Sequence, residues 1–381
     1  MSEVNFKVDN SNNRVLSKFV SYLECESFWK DLPLSLGNYA EPYDWAIDTG
    51  YGLIDILKDY AGYSIDYIPK INVLHGTFMG MKDSWWLKSE ASLKSVPGMF
   101  VFYNTIRDKL NLLFNSSKSF YSIKHPYHLI LENYKSEISI EKSGSVLFLP
   151  HSLGYGLLFN IDFLLNYLNT LTQDYYPIKI CIHPADISRE LLEKFKSEKF
   201  KVVCCGSRFD PDFLHRFFWI CNGSKYCLSV DLSTHTILSS LSGLDIVPLY
   251  NKLPMINWVH GNQIVYYDIP DSEYNYIIES FFENSIDQNL FKYHCNIVTG
   301  GVINVSKKQL RTMFEECEFA FNNERFFGIK IKYLRSLEKI IKIKEAYTRA
   351  LKNRLSGNNK IIQPVSTDLF YQLYRYYKTF N

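Results

Sequence analysis

Three short apolar runs in this sequence each stop at residues able to hold or move a proton. Lys179-Ile180-Cys181-Ile182 runs into His183-Pro184. Ser145-Val146-Leu147-Phe148-Leu149-Pro150 runs into His151-Ser152-Leu153-Gly154-Tyr155-Gly156. Tyr226-Cys227-Leu228-Ser229-Val230 runs into Asp231-Leu232-Ser233-Thr234-His235-Thr236. Serine and threonine hydroxyls beside the free N–H groups of a helix N-terminus make an anion site. Ser233, Thr234 and Thr236 open one such helix, and Ser152 with Gly154 and Gly156 opens another. Each group also reads as a plain N-cap, contributing about 1 kcal/mol. Their coincidence with His183 at neighbouring edges favours a ligand. Arg208 follows a fourth run, Lys201–Cys205, where a guanidinium can pair with phosphate or carboxylate.

A separate run, Ile71-Asn72-Val73-Leu74, ends in His75-Gly76-Thr77-Phe78-Met79-Gly80-Met81-Lys82-Asp83. Glycine allows close approach of a ligand to the backbone, and histidine titrates near neutrality, as a general base requires. The alternative is a histidine that satisfies a loop carbonyl. Lys124-His125-Pro126-Tyr127-His128 repeats the His-Pro pair and is expected as a loop. No Walker loop is present, and Gly50-Tyr51-Gly52 and Gly154-Tyr155-Gly156 lack the third glycine of a dinucleotide fingerprint. No His-Glu-x-x-His occurs, and Asp210-Pro211-Asp212 reads as a proline turn before a helix rather than a cation site.

The elements that must position these residues alternate. Strands are expected over 146–150, 178–182, 201–205, 226–230 and 245–249, with helices over 157–171, 188–198, 212–222 and 236–241 between them. Such βα units give a parallel sheet covered by helices on both faces, with ligands at the carboxyl edge. Strands at 71–74 and 97–103 and a helix at 105–114 form an earlier unit. The polar stretch 132–144 serves as a linker. The expected division is 1–142, an α/β domain; 143–305, a Rossmann-like domain; and 306–381, a helical segment. In that last segment, residues 325–354 carry ten Lys and Arg against Glu338 and Glu345. A basic amphipathic helix of this kind either packs across domains or lies on an anionic membrane surface.

Composition restricts the class. The chain has 381 residues, 46% hydrophobic and 22% charged, with a net charge of +2, so nothing calls for nucleic acid. The 28 Tyr and 27 Phe exceed what a ligand could use and must mostly fill core or interface. Eight cysteines without metal-type spacing read as reduced core residues. The polar start Met1-Ser2-Glu3-Val4-Asn5 lacks a signal-peptide core, and no apolar run approaches the roughly 18 residues of a membrane span. A cytoplasmic protein follows, with possible contact to the inner face of the membrane.

Leu149-Pro150-His151-Ser152, Ile182-His183-Pro184 and Asp231-Leu232-Ser233-Thr234-His235-Thr236 resemble the carboxyl-terminal half of GT-B glycosyltransferases of bacterial surface-polysaccharide synthesis. They are most similar to the sialyltransferase-like enzymes that use CMP-activated nonulosonic or Kdo-type sugars. The resemblance implies that His183-Pro184 meets the donor's phosphate and cytidine. It further implies that Ser239-Ser240, or Ser233-Thr234, binds the phosphate. His75-Gly76-Thr77 resembles the loop of teichoic-acid glycerophosphotransferases, which use CDP-glycerol, and implies a catalytic base at His75. The Asp/Glu-Asp-Gly base motif of many sialyltransferases is absent.

The residues and the resemblance lead to one expectation. It is a metal-independent GT-B-like α/β glycosyltransferase with two Rossmann-like domains facing across a cleft. Donor binding falls to His151, Ser152, His183, Pro184, Arg208, Ser233, Thr234, Thr236 and Ser239, and proton abstraction to His75 or Asp83. The partners are a CMP-linked sugar donor and a glycan or lipid-linked glycan acceptor in capsule or lipopolysaccharide synthesis, with no cofactor. The alternatives are a CDP-glycerol glycerophosphotransferase and a non-catalytic nucleotide- or glycan-binding protein. A UDP-sugar epimerase or retaining transferase is disfavoured, because no glutamate is evident for the ribose.

Overall fold

The computed structural model describes residues 50–64, 67, 69–74, 97–114, 118–149, 161–182, 189–205, 213–249 and 272–322. The chain is of the expected α/β class, with two parallel sheets and helices packed on them. The first sheet contains β1 (Ile71–Val73), β2 (Gly98–Val101) and β3 (Ser119–Ser122) in the order β1-β2-β3. Ile71 pairs with Gly98, and Gly98 with Ser119. Helix α1 (Leu53–Ala61) precedes this sheet, α2 (Asn104–Phe114) joins β2 to β3, and α3 (Pro126–Asn133) follows.

The second sheet contains β4 (Ser145–Phe148), β5 (Ile178–Cys181), β6 (Phe200–Val203), β7 (Tyr226–Ser229) and β8 (Asp245–Pro248). Between them run α4 (Ile161–Asn169), α5 (Arg189–Lys194), α6 (Phe213–Cys221) and α7 (Thr234–Leu241). The order is β6-β5-β4-β7-β8, all parallel. The chain starts at the central strand, builds outward to β6, then crosses back to lay β7 on the other side. The adjacent ends of β4 and β7 are therefore the topological switch point, where open α/β sheets form their ligand crevice.

Side chains alternate across the pleat. Val146 and Phe148 enter one apolar cluster, while Leu147 and Leu149 enter another. The second cluster includes Leu164, Leu168, Leu191 and Phe195 of α4, α5 and the turn after α5. The first cluster continues through α6 and α3 to α1 and the first sheet, joining Phe217, Tyr127, Ile54 and Phe100. Burial on both faces explains the unbroken apolar strand runs.

Three further helices follow: α8 (Ser272–Phe282), α9 (Gln288–Val298) and α10 (Lys307–Asn322). The turn after α9 reaches the first sheet. Gly300 has φ 69°, and a Cβ there would lie 2.5 Å from Phe102 O and 2.6 Å from Ile123 O. Only glycine fits that backbone and that approach. The turn thereby covers the carboxyl ends of β2 and β3. Helix α10 then returns to the start of the structure. Fully buried Phe314 meets the rings of Tyr63, Tyr67 and Phe100, and Arg311 hydrogen-bonds the carbonyl oxygen of Ala61. Cys317 presses on β2 so closely that a Cβ at Gly98 would sit 2.6 Å from its sulfur. Helix α10 thus packs on α1 and the first sheet; residues 325–354, for which the two roles were expected, lie outside the described residues.

Two expectations change. The second His-Pro is not a loop: Pro126 opens α3, where its missing N–H is not needed. His125 caps that helix, Nδ1 accepting from Tyr127 N at 3.1 Å, and is 1% exposed. Nor was β3 expected. Seven described cysteines are buried and free, as a reduced core requires. Among the described residues no helix is long and apolar enough to cross a membrane.

Candidate functional site

Strand β7 ends in a turn that its own hydroxyls pin. Ser229 Oγ and Thr236 Oγ1 lie 2.7 Å apart, and both approach Asp231 O, at 2.6 and 3.0 Å. This fixes the turn before α7, whose first bonds, Thr236 N and Ile237 N to Ser233 O, follow directly. Thr236 and Ser239 are fully buried. Ser239 Oγ faces Cys221 Sγ at 3.8 Å. Both side chains therefore lie beneath the edge, where they support it. Ser233 and Thr234 are half-buried at the edge itself.

Ser233 is the N-cap of α7, yet its side chain makes no capping bond. Its Oγ lies 2.6 Å from His235 Nδ1 and 3.4 Å from Nε2. On the other side, Asp231 Oδ1 is 3.4 Å from His235 Nε2. That contact is an ion pair by distance only, because Oδ1 is shut off from solvent without a hydrogen bond. The Phe148 ring of β4 packs on the imidazole, centroids 5.1 Å apart. Asp231, Ser233 and His235 thus form one polar cluster at the switch point, at the positive end of α7. Asp231 and His235 are the residues that sequence reasoning did not select. Their signal was the i,i+4 spacing across a helix start, which brings side chains together.

The Cys205 thiol at the same edge offers no nucleophile. Cys181 and Cys205, at the ends of β5 and β6, approach to 3.6 Å. Burial holds the Cys205 thiol well above the ordinary range, with the Cys181 sulfur adding to the effect. A protonated thiol is a poor nucleophile. Arg216 Nη1 of α6 donates to Cys205 O at 3.0 Å and ties the end of β6 to the helix. Among the described residues no three His, Cys, Asp or Glu side chains converge to hold a metal ion.

On the first sheet, buried Leu74 continues β1 by donating from its N–H to Phe100 O at 2.8 Å. His75 and Asp83, expected beyond that end, lie outside the described residues, as do His151, Ser152, His183, Pro184 and Arg208.

No protein-family model matches the chain, and no curated protein matches it. Two solved structures of UGT89C1 from Arabidopsis thaliana are similar. The complex with UDP-L-rhamnose shares 9% identity at a TM-score of 0.29, over 75% of this chain and 70% of that one. The complex with UDP shares 8% at 0.30, over 74% and 76%. Likeness at these levels carries no statement about what this chain binds.

Proposed function

We propose that the chain is a GT-B-type glycosyltransferase that binds a nucleotide-activated sugar at the carboxyl edge of the second sheet. The observation that carries this reading is the Asp231–Ser233–His235 cluster, set at the switch point of a β6-β5-β4-β7-β8 sheet and at the start of α7. An anion bound there gains from the helix dipole and from the hydroxyls of Ser233 and Thr234. Glycosyl transfer leaves negative charge on the departing nucleotide, so an electrostatic cradle at this place lowers the barrier. In this reading the donor also meets His151, Ser152, His183-Pro184 and Arg208 from the neighbouring strand ends, and Thr236 and Ser239 hold the floor. The acceptor hydroxyl arrives from the side of the first sheet, and His75 or Asp83 takes its proton. Residues 1–142, 143–305 and 306–381 act as acceptor side, donor side and connecting helices.

The finer reading is a CMP-linked nonulosonic or Kdo-type sugar passed to a glycan in bacterial capsule or lipopolysaccharide synthesis. It would take place in the cytoplasm, with the basic segment 325–354 near the membrane. It rests on the sequence resemblance. Thermal shift with CMP, CDP, UDP and GDP, in EDTA, tests it. A site filled to a hundredfold its Kd adds about 2.7 kcal/mol. Stabilisation by CMP or CDP alone supports the finer reading; stabilisation by UDP or GDP alone removes the cytidine donor and keeps the transferase. Binding without transfer of sugar to any glycan acceptor leaves a nucleotide-binding protein.

A further inference from the structure

Helix α9 bridges the two sheets. At its start Gln288 closes the edge of β8, Nε2 donating to Ile246 O at 2.9 Å and Oε1 accepting from Ile246 N at 2.8 Å. At its end the Thr299–Gly300 turn lies on the first sheet. Phe291, Cys295 and Val298 turn one stripe of the helix to the core. Leu290 and Tyr293, off that stripe, are 43% and 57% exposed. His294 stands at the border, with 13% of its side chain exposed.

Three neighbours fix the His294 ring. Glu273, in the first turn of α8, hydrogen-bonds Nδ1. Tyr276, almost one turn further along α8, stacks on the imidazole, centroids 4.2 Å apart at 27°. Tyr293 meets the ring edge-on, at 5.4 Å and 78°. Among the described residues Nε2 has no hydrogen-bond partner, and it is not shut off from solvent. The place of this cluster follows from Tyr274, the residue after Glu273. Tyr274 is buried and packs at 5.5 Å on Tyr103, just past the carboxyl end of β2.

Resting on the reading that a sugar passes to a glycan, we infer that Glu273, Tyr276, Tyr293 and His294 form a subsite for a neutral sugar unit of the acceptor. A pyranose shows C–H groups on its faces and hydroxyls around its rim. An exposed tyrosine offers an apolar body with a polar tip, which suits both. His294 Nε2 presents a lone pair on the neutral ring and a proton on the charged one, and a hydroxyl answers either. Glu273 holds the imidazole in place, and its carboxylate opposes an acidic sugar. The cluster lies toward the carboxyl ends of the first sheet, the side from which the acceptor arrives. It orients the glycan, while the reacting hydroxyl goes to the end of β1.

Saturation-transfer NMR on the full chain, without nucleotide, tests this. The probes are methyl β-D-glucoside, methyl β-D-galactoside, methyl N-acetyl-β-D-glucosaminide and, as the acidic counterpart, N-acetylneuraminic acid. At least one neutral glycoside should bind. Tyr293→Ala should weaken it roughly tenfold through loss of the ring, and His294→Ala roughly three- to tenfold through loss of a hydrogen bond. If His294→Ala does not fold by circular dichroism, Tyr293→Ala, at an exposed position, decides alone. Binding that Tyr293→Ala keeps at wild-type strength overturns the inference. So does binding of the acid but of no neutral glycoside, or of no probe at all. The transferase reading is then judged separately, by the nucleotide thermal shift. Glycoside binding lost in the variants, with no nucleotide stabilising the wild type, keeps the sugar site and removes the transfer.

Discussion

Phe148, the last residue of β4, and His235, in the first turn of α7, pack ring against ring across the gap between β4 and β7, at 5.1 Å and 32°. Phe148 also stacks on Phe217 of α6, at 4.9 Å and 18°. One aromatic column therefore runs from the core to the switch point, with the imidazole as its polar end. The candidate site is anchored to the same packing that holds α6 against the sheet.

Phe148→Leu tests that coupling. The side chain is 6% exposed, and leucine keeps most of the apolar burial while both ring contacts vanish. Ring pairs contribute about 0.5–1.5 kcal/mol each beyond area, so stability should fall by roughly 1–3 kcal/mol in urea denaturation. Nucleotide-sugar affinity should fall with it, because His235 loses the surface that orients it. A variant that loses stability but binds as tightly as wild type would show the column to be core alone.

The buried thiols give a second expectation. Burial pushes Cys227 up to about 12, despite a hydrogen bond from Ser239, and Cys317 also to about 12. Cys221 and Cys295 are raised by the same cause. Thiolate is the reactive form. Of the eight cysteines, the seven described ones should react with a disulfide reagent at pH 8 only after denaturant is added. More than one fast equivalent from the native protein would contradict this burial.

The second sheet was legible because its strands are buried on both faces. Runs such as Val146–Leu149 are continuous, and turn residues bound them. Strand β3 was not, since Ser119-Phe120-Tyr121-Ser122 buries only Phe120 and becomes a strand by pairing with β2. Helix α3 was hidden for a related reason: its N-cap is a histidine rather than one of the usual capping residues, and the contact of His128 with Thr299, 171 residues away, is tertiary. At the site, Ser233 and Thr234 were readable as a helix start. The pairing of Asp231 with His235 was not, because it depends on the turn that Ser229 and Thr236 pin from below. His75, Asp83, His151, Ser152, His183, Pro184 and Arg208 remain sequence-based assignments.

The histidines of α3 predict an acid-sensitive fold. His128 Nε2 meets Thr299 Oγ1 at 2.8 Å, and burial, aided by Lys124, lowers its pKa to about 4 from an ordinary 6.5. Burial also lowers His125, with His128 adding to the shift. Both are neutral when folded, and the unfolded chain takes up protons first. Their contribution is present above pH 6.5 and is lost as pH falls toward 4, by roughly 3 kcal/mol for His128. Urea midpoints at pH 7 and pH 4.5 measure it. His128→Gln, which can still bond Thr299 but cannot charge, should lose less stability over that interval than wild type. Equal losses in the two proteins would remove His128 as the cause.

The base for the acceptor is the remaining assignment, and the first sheet narrows it. The Thr299–Gly300 turn covers the carboxyl ends of β2 and β3, so among the three described strand ends β1 is the one that leads toward candidate chemistry. Leu74 keeps the ladder going one residue past β1, and His75 comes next, followed by Gly76. Asp83 follows in the same segment as the competing carboxylate. A general base contributes about 10²–10⁴-fold. His75→Ala should therefore lower turnover by that order while nucleotide affinity, read by calorimetry, changes little, since the donor is assigned to the other sheet. Asp83→Ala should leave turnover within a fewfold of wild type. The reverse pattern transfers the role to Asp83. Near-normal turnover in both variants would place the base on neither, and a loss of nucleotide affinity in His75→Ala would put that histidine on the donor side.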